Sequence, residues 1–309
     1  MRVASIDIGT NSVLLLIAEG KPGAPASATA LAERCTITRL GKGVDKTRRL
    51  APDAVARTLA CLQDYASLMA SHDVQACSAV ATSAARDAEG AEEFVQRAAQ
   101  ILGTVPRVID GPTEARMTFH GALSGLPVRG EVAVFDIGGG STEVVTGAWD
   151  GERGEVHQAV SLDVGAVRLT ERHARSEPPV GTEIAAMREH VRVELQRIGV
   201  PFAGATWVGI AGTVTTLCAM GIEMVVYDGA RVHGAWLTRS EVDGLQNRML
   251  SLGLEERRKM PGLEPARADV IVAGSVIAQE VMGWAGANRV MVSDRGVRWG
   301  LALELLGSR

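Results

Sequence analysis

The sequence predicts an α/β protein with two domains that share one core topology. Three observations carry this prediction: strand-like and helix-like segments alternate along the 309 residues, one strand–loop–strand pattern occurs twice, and aromatic residues make up only 4% of the composition. With so few aromatic residues, the core must be built from Val, Leu, Ile, Ala and Met, which suits packed α/β layers. A chain of this length can form two domains of ordinary size.

Hydrophobic periodicity and helix-start signals predict the individual elements. In the first half we expect strands at residues 3–8, 13–18, about 31–40, 76–81 and 107–109, and helices from residue 52, over 92–102 and over 112–123. In the second half we expect strands around a second loop and at 156–162 and 289–293, and a strand from 207 that ends in a glycine turn by 213 and is followed by a helix to 220. Further helices are expected over 164–173, 183–198, 267–284 and 297–306. The charged run at 255–259 is interpreted as a solvated helix face.

The repeat joins residues 3–12 (VASIDIGTNS) to residues 132–141 (VAVFDIGGGS), which are identical at six of ten positions without a gap. Such self-similarity indicates two halves with the same core. Glycine and proline at 125–130 mark the boundary between them. We therefore predict domains at 1–125 and 126–309, and the last helix, about 297–309, could pack back on the first.

Composition and charge exclude several classes of protein. The net charge is −4 and no basic stripe is present, which argues against a nucleic-acid partner. No apolar run reaches the roughly 18–20 residues that span a bilayer, and the acid at position 7 argues against a secretory signal. The scattered cysteines form no C-x-x-C pair, so we expect free thiols and a cytoplasmic protein.

The two Asp-Ile-Gly loops are the strongest chemical signal. Glycines at a strand end let the backbone turn sharply, and successive N–H groups in such a turn form an anion-binding concavity to which hydroxyl groups add donors. The candidate phosphate-binding residues are Gly9, Thr10, Asn11 and Ser12 in the first loop and Gly138, Gly139, Gly140, Ser141 and Thr142 in the second. Either loop alone could be an ordinary hairpin tip, whereas two matching loops in register indicate a phosphate-binding site more specifically.

Acids beside these loops suit a divalent cation. Asp7 and Asp136 lie at the strand ends, and Glu143 follows Asp136 across the second turn, so that the two carboxylates could share one metal ion. Mg²⁺ typically takes one or two carboxylates together with phosphate oxygens. The alternative for Glu143 is a solvent-facing strand residue.

Three further positions are candidates. Glu114, on the first turn of a predicted helix, could orient or deprotonate a water, although acids there also simply complement the helix dipole. Arg86, after a strand end, could hold phosphate oxygens or form a surface ion pair. Gly212 and Thr213 lie in a glycine turn before a helix, where N–H groups could meet a phosphate.

At these residues the sequence resembles the exopolyphosphatase/guanosine pentaphosphate phosphohydrolase (Ppx/GppA) family. The matching segments, in order, are residues 6–12, 81–87, 111–116, 136–143, 209–216, 267–274 and 293–298. The resemblance implies two actin-like (ribonuclease H-like) domains of the ATPase superfold with a cleft between them. The chain stops where longer members add a helical domain, so it resembles the short, two-domain kind.

The resemblance also implies roles for the candidate residues. The family's catalytic glutamate falls on Glu114, its metal-binding acids on Asp136 and Glu143, and its arginine motif on Arg86. The implied cofactor is Mg²⁺ or Mn²⁺. Two departures stand out: only one acid precedes the alanine at 115, and Gly90 replaces the family's asparagine.

The expected activity is hydrolysis of the terminal phosphoanhydride of inorganic polyphosphate, with release of orthophosphate. The alternative within the family is removal of the γ-phosphate at the 5' end of guanosine pentaphosphate. A kinase of the same superfold is disfavoured because no sugar-site acid is evident, and a sensor without turnover is disfavoured by Glu114. A homodimer is left open.

Overall fold

The computed structural model describes residues 1–199, 202 and 204–307. The chain divides into two compact units, the first made of Met1–Ser124 with the residues from Gly296 on, and the second of Gly125–Arg295. The last helix thus belongs to the first unit. None of the helices in the described ranges has both the length and the apolar character needed to cross a membrane.

The first unit is a sheet flanked by helices. Its strands are β1 (Arg2–Ile8), β2 (Ser12–Lys21), β3 (Ala24–Ile37), β4 (Ala76–Ala81) and β5 (Arg107–Val108). Its helices are α1 (Val44–Thr47), α2 (Pro52–Ser71), α3 (Ser83–Asp87), α4 (Ala91–Leu102), α5 (Gly111–Leu123) and, from the chain end, α13 (Val297–Gly307).

The second unit has the same plan with additions. Its strands are β6 (Gly130–Ile137), β7 (Thr142–Trp149), β8 (Gly154–Leu162), β9 (Thr206–Ile210), β10 (Trp236–Thr238) and β11 (Arg289–Val292). Its helices are α6 (Ala166–His173), α7 (Gly181–Gln196), α8 (Ala211–Gly221), α9 (Gly229–Val232), α10 (Arg239–Leu250), α11 (Leu254–Arg257) and α12 (Ile271–Trp284).

The sheet order confirms that the two units repeat one topology. In the first sheet the order is β3-β2-β1-β4-β5, with β1–β2 and β2–β3 antiparallel and β1–β4 and β4–β5 parallel. In the second, β8-β7-β6-β9-β11 follows the same pattern, and β10 is added at the edge. This doubled mixed sheet agrees with the two α/β domains of one core topology that the sequence predicts.

The close packing of α13 against α5 depends on glycine. A Cβ on Gly121 of α5 would overlap the backbone of Gly296 and Gly300, and one on Gly300 would overlap the carbonyl group of Met117. Side chains of α13, among them Trp299, pack with the buried face of β1 and β2. The helix that carries Glu114 is therefore fixed along its length by the last helix.

Several sequence predictions were wrong in detail. The strand expected to end in a glycine turn by 213 ends at Ile210, and residues 211–213 already belong to α8. The helix expected from 267 begins at Ile271. The third strand ends at Ile37, so residues 38–40 are a loop, with Arg39 in the left-handed region at φ 56°. The run at 255–259 is not wholly solvated, because Arg257 is only 1% exposed. Its guanidinium donates to the carbonyl groups of Met249, Leu252 and Ala268. The bond to Met249 satisfies a carbonyl group in the last turn of α10.

Candidate active site

The two glycine loops have the same turn. In the first, the amide of Gly9 donates to the carbonyl of Ser12 at 3.0 Å; in the second, the amide of Gly138 donates to the carbonyl of Ser141 at 3.0 Å. Each loop joins an antiparallel pair, β1–β2 or β6–β7, at the end of a central strand. The sequence repeat thus encodes a repeated backbone geometry.

Neighbouring segments occupy the carbonyl oxygens of the first loop. The carbonyl of Thr10 accepts from the amide of Gly41 at 2.8 Å, and that of Asn11 accepts from the amides of Thr38 and Arg39 at 3.1 and 2.9 Å. Removing carbonyl oxygens from the binding side matters, since a phosphate needs N–H and O–H donors. The buried hydroxyl of Thr10 has no hydrogen-bond partner among the described residues, which suits a donor kept for a ligand.

The second loop is held in the same way by α6. The carbonyl of Gly138 accepts from the amide of Ala166 at 2.9 Å, and that of Gly139 from the amides of Val167 and Arg168 at 2.9 and 3.1 Å. The first turn of α6, whose amides lack partners within the helix, is thereby satisfied. Sequence reasoning missed both bracing segments, because their contacts with the loops are made through the backbone.

Strand register pairs Asp136 with Glu143 across β6 and β7. Residues directly opposite in an antiparallel pair project from the same face with Cβ atoms about 4.5–5.5 Å apart. Glu143 is 1% exposed and accepts from the hydroxyl of Ser161 at 2.7 Å, so it is not a solvent-facing strand residue. In the first unit the partner of Asp7 is Leu14, so the repeat builds a cross-strand acid pair only once.

The acid pair fits a magnesium or manganese ion. Its donors are carboxylate oxygens, which these cations prefer, and Mg²⁺ needs only one or two of them when phosphate and water complete its shell. In the ranges 1–199, 202 and 204–307, no group of three or more His, Cys, Asp or Glu side chains could hold a metal ion by itself. The structure thus brings together Asp136 and Glu143 but forms no larger cluster that includes Asp7.

Glu114 lies on the first turn of α5, which begins in a well-defined cap. The carboxylate of Asp110 accepts from the amide of Thr113 at 2.8 Å, and Pro112 lies in the first turn, where its missing N–H has no cost. Hydrogen bonds from Thr113 hold the pKa of Asp110 below its usual value of 3.8. Glu114 is only 7% exposed, whereas an acid that merely complements the helix dipole would face water.

Arg86 contacts Glu114 directly. Nη1 of Arg86 donates to Oε2 of Glu114 at 3.3 Å and to the carbonyl of Ile109 at 3.1 Å, while Nε lies 3.8 Å from Oδ1 of Asp87. The surface pair that was the alternative for Arg86 is therefore present but longer than the contact with Glu114. A half-buried guanidinium fixed at two points orients the carboxylate.

Gly212 and Thr213 lie in the first turn of α8, which begins at Ala211 directly after β9 ends. A Cβ on Gly212 would overlap the guanidinium of Arg267, so glycine is needed there to let the arginine lie against the helix start. The residue before it, Ala211, adopts a strained positive φ of 66°. Because β9 is parallel to β6, this turn lies at the same sheet edge as the second loop.

The chain is similar to known proteins over 99% of its length. The profile of the Ppx/GppA phosphatase family matches residues 16–309. A Mycobacterium tuberculosis protein named exopolyphosphatase 2 is 40% identical, with 99% of each chain covered. A crystal structure described as an exopolyphosphatase-like protein superposes with a TM-score of 0.91 at 33% identity, covering 99% of this chain and 98% of that one.

A structure of the Aquifex aeolicus Ppx/GppA family member superposes with a TM-score of 0.83 at 37% identity, covering all of this chain and 99% of that one. The family profile, the full-length sequence identity and the superposed backbones therefore indicate the same family. The chain belongs to the Ppx/GppA phosphatase family.

Proposed function

We propose that the protein is an exopolyphosphatase that removes the terminal phosphate of inorganic polyphosphate. The observation that carries this proposal is the 40% identity, over 99% of both chains, to a protein named exopolyphosphatase 2. The geometry supports it, since both glycine loops have braced carbonyl groups and a buried glutamate is held by an arginine.

The residues have distinct roles in this proposal. N–H and hydroxyl donors of the loops at 9–12 and 138–142, with those of Gly212 and Thr213, bind phosphate oxygens. Glu114 orients the attacking water and accepts its proton at a carboxylate oxygen, while Arg86 fixes that carboxylate and offers its remaining donors to phosphate. Catalysis of this kind is mostly placement and electrostatics.

Asp136 and Glu143 would hold Mg²⁺ or Mn²⁺, with Asp7 as a candidate ligand through water. Such a cation neutralises phosphate oxygens and polarises the phosphorus that is attacked. The metal, the cytoplasmic location and the option of a homodimer remain predictions, as do the individual site residues.

Initial rates of phosphate release distinguish the two candidate substrates. Purified protein with Mg²⁺ is given polyphosphate of defined lengths and, separately, guanosine pentaphosphate, and initial rates are compared. We expect kcat/KM for polyphosphate to be the larger. A larger value for guanosine pentaphosphate would move the assignment to the other activity of the family, and binding without release of phosphate from either would support a sensor.

A further inference from the structure

A short segment, residues 163–168, lies directly on the second glycine loop. Three amides of this segment donate to the carbonyl groups of Gly138 and Gly139, as described above. Gly165 is so close that a Cβ would lie 2.5 Å from the carbonyl of Gly139 and 2.6 Å from that of Gly140. Any other residue there would displace the loop.

The other end of the segment is tied to the start of β7. The hydroxyl of Thr142 donates to the carbonyl of Val164 at 2.6 Å, and Leu162 is the strand partner of Thr142. Asp163 therefore follows β8 at the point where the loop enters β7. Both ends of the segment contact the proposed phosphate loop.

An ion pair joins these two ends. Nη1 of Arg168 lies 3.4 Å from Oδ1 of Asp163, and the side chains are 9% and 69% exposed. The Arg168 side chain is thus buried, whereas its carboxylate partner is mostly in water. Because one partner is mostly in water, water can replace the carboxylate's side of this contact.

We infer that Arg168 is a phosphate-binding residue of the second loop and that Asp163 is its counter-ion until phosphate displaces it. This inference rests on the proposed function of the loop. The planar guanidinium can bind two phosphate oxygens at once, and a phosphate chain carries more charge than one carboxylate. Asp163 is already largely hydrated, so its release costs little.

A purely structural ion pair makes a different prediction. If the pair only braces the segment, replacing either partner breaks the same contact and both variants change in the same direction. If Asp163 competes with phosphate, its removal strengthens binding while removal of Arg168 weakens it. The sign of the Asp163 effect separates the two roles.

The experiment uses Asp163→Asn, Arg168→Gln and Arg168→Lys, with Arg258→Gln as the control for an exposed pair with Glu255 in the same unit. Steady-state KM for polyphosphate is measured, and so is the rise in unfolding temperature caused by inorganic tripolyphosphate. We expect KM to fall about 2- to 5-fold in Asp163→Asn, as for loss of a weak competing pair. We expect it to rise about 10-fold or more in Arg168→Gln, as for loss of a charged hydrogen bond.

Arg168→Lys should keep charge but lose the planar fork, and so should lie between wild type and Arg168→Gln. The inference is overturned if KM rises in Asp163→Asn together with Arg168→Gln, or if neither variant differs from Arg258→Gln. Should Arg168→Gln not fold, Asp163→Asn and Arg168→Lys still decide. A wild-type protein that is stabilised by tripolyphosphate but releases no phosphate contradicts the proposed function, and the thermal shifts of the variants still test Arg168.

Discussion

Arg86 and Glu114 lie 28 residues apart in sequence, yet Nη1 of one is 3.3 Å from Oε2 of the other. The same nitrogen donates to the carbonyl of Ile109, which lies between β5 and α5. The guanidinium therefore fixes a carboxylate and the approach to its helix together. The direction of the Glu114 carboxylate is set by a residue outside its own helix.

Glu114→Gln tests the proposed catalytic residue. Glutamine keeps the size and can still accept from Arg86, but it cannot take a proton. We expect kcat to fall by at least ~10², the lower end for loss of a general base, with KM largely kept. Initial rates of phosphate release give both values. Glu92→Gln is the matched control, since Glu92 is an exposed acid on the first turn of α4; near-normal turnover in Glu114→Gln would remove the assignment.

Metal removal tests Asp136 and Glu143. Chelation should abolish phosphate release and added Mg²⁺ or Mn²⁺ should restore it, because the acid pair supplies only part of a cation's shell. Asp136→Asn should require a higher metal concentration for half-maximal rate, whereas Glu155→Gln, at an exposed position on β8, should not. Full activity in excess chelator would contradict the assignment of Asp136 and Glu143 as metal ligands.

Salt and chain length test how polyphosphate is held. With a net charge of −4 the protein has no general attraction for a polyanion, so polyphosphate must be bound by local contacts. We expect distributive hydrolysis, with short chains used about as well as long ones. Affinity should fall as salt rises, since exposed charges are screened beyond roughly 8 Å at physiological ionic strength.

Time-course gels distinguish the two modes of hydrolysis. Distributive action shortens all chains together. Full-length chains that persist late in the reaction beside end products would contradict the expected distributive hydrolysis.

His120 of α5 makes stability depend on pH. Burial lowers the pKa of its imidazole from 6.5, so the folded state favours the neutral ring. Its contribution is complete above pH about 6.5 and is lost as pH falls through the lowered pKa, since protons then bind the unfolded chain better. The unfolding temperature should drop between pH 7.5 and 5, and less steeply in His120→Gln; an unchanged slope would contradict this assignment.

Gly121→Ala should destabilise the first unit. The added Cβ meets the backbone of Gly296 and Gly300, which cannot rotate away, and overpacking of this kind costs about 1–3 kcal/mol. Gly244→Ala is the control, because Gly244 lies within α10 with open space around it and should gain about 0.4–1 kcal/mol. The unfolding temperatures of both variants are measured against the wild type. If Gly121→Ala is as stable as the wild type, α5 and α13 separate easily.

The repeated strand–loop–strand core could be predicted from sequence because its turn depends on local residues, the Asp-Ile-Gly signature in both halves. The helix α10 was missed, since polar residues interrupt its apolar spacing and Gln246, on its buried face, hydrogen-bonds Ser275. Contacts between distant residues, such as Arg86 with Glu114, leave no periodic signal. The segment at 163–168 was missed as a brace for the same reason.

The packing of α13 sets an order on folding at the ribosome. Val3 and Leu16 share a buried cluster with Trp299 and Leu306, so the first sheet lacks part of its cover until α13 has been synthesised. The second unit, Gly125–Arg295, is one continuous stretch and has all its strands once β11 has emerged. Of the two units, the one whose synthesis starts first is therefore completed second, and its uncovered apolar face is the nascent surface that a chaperone would meet.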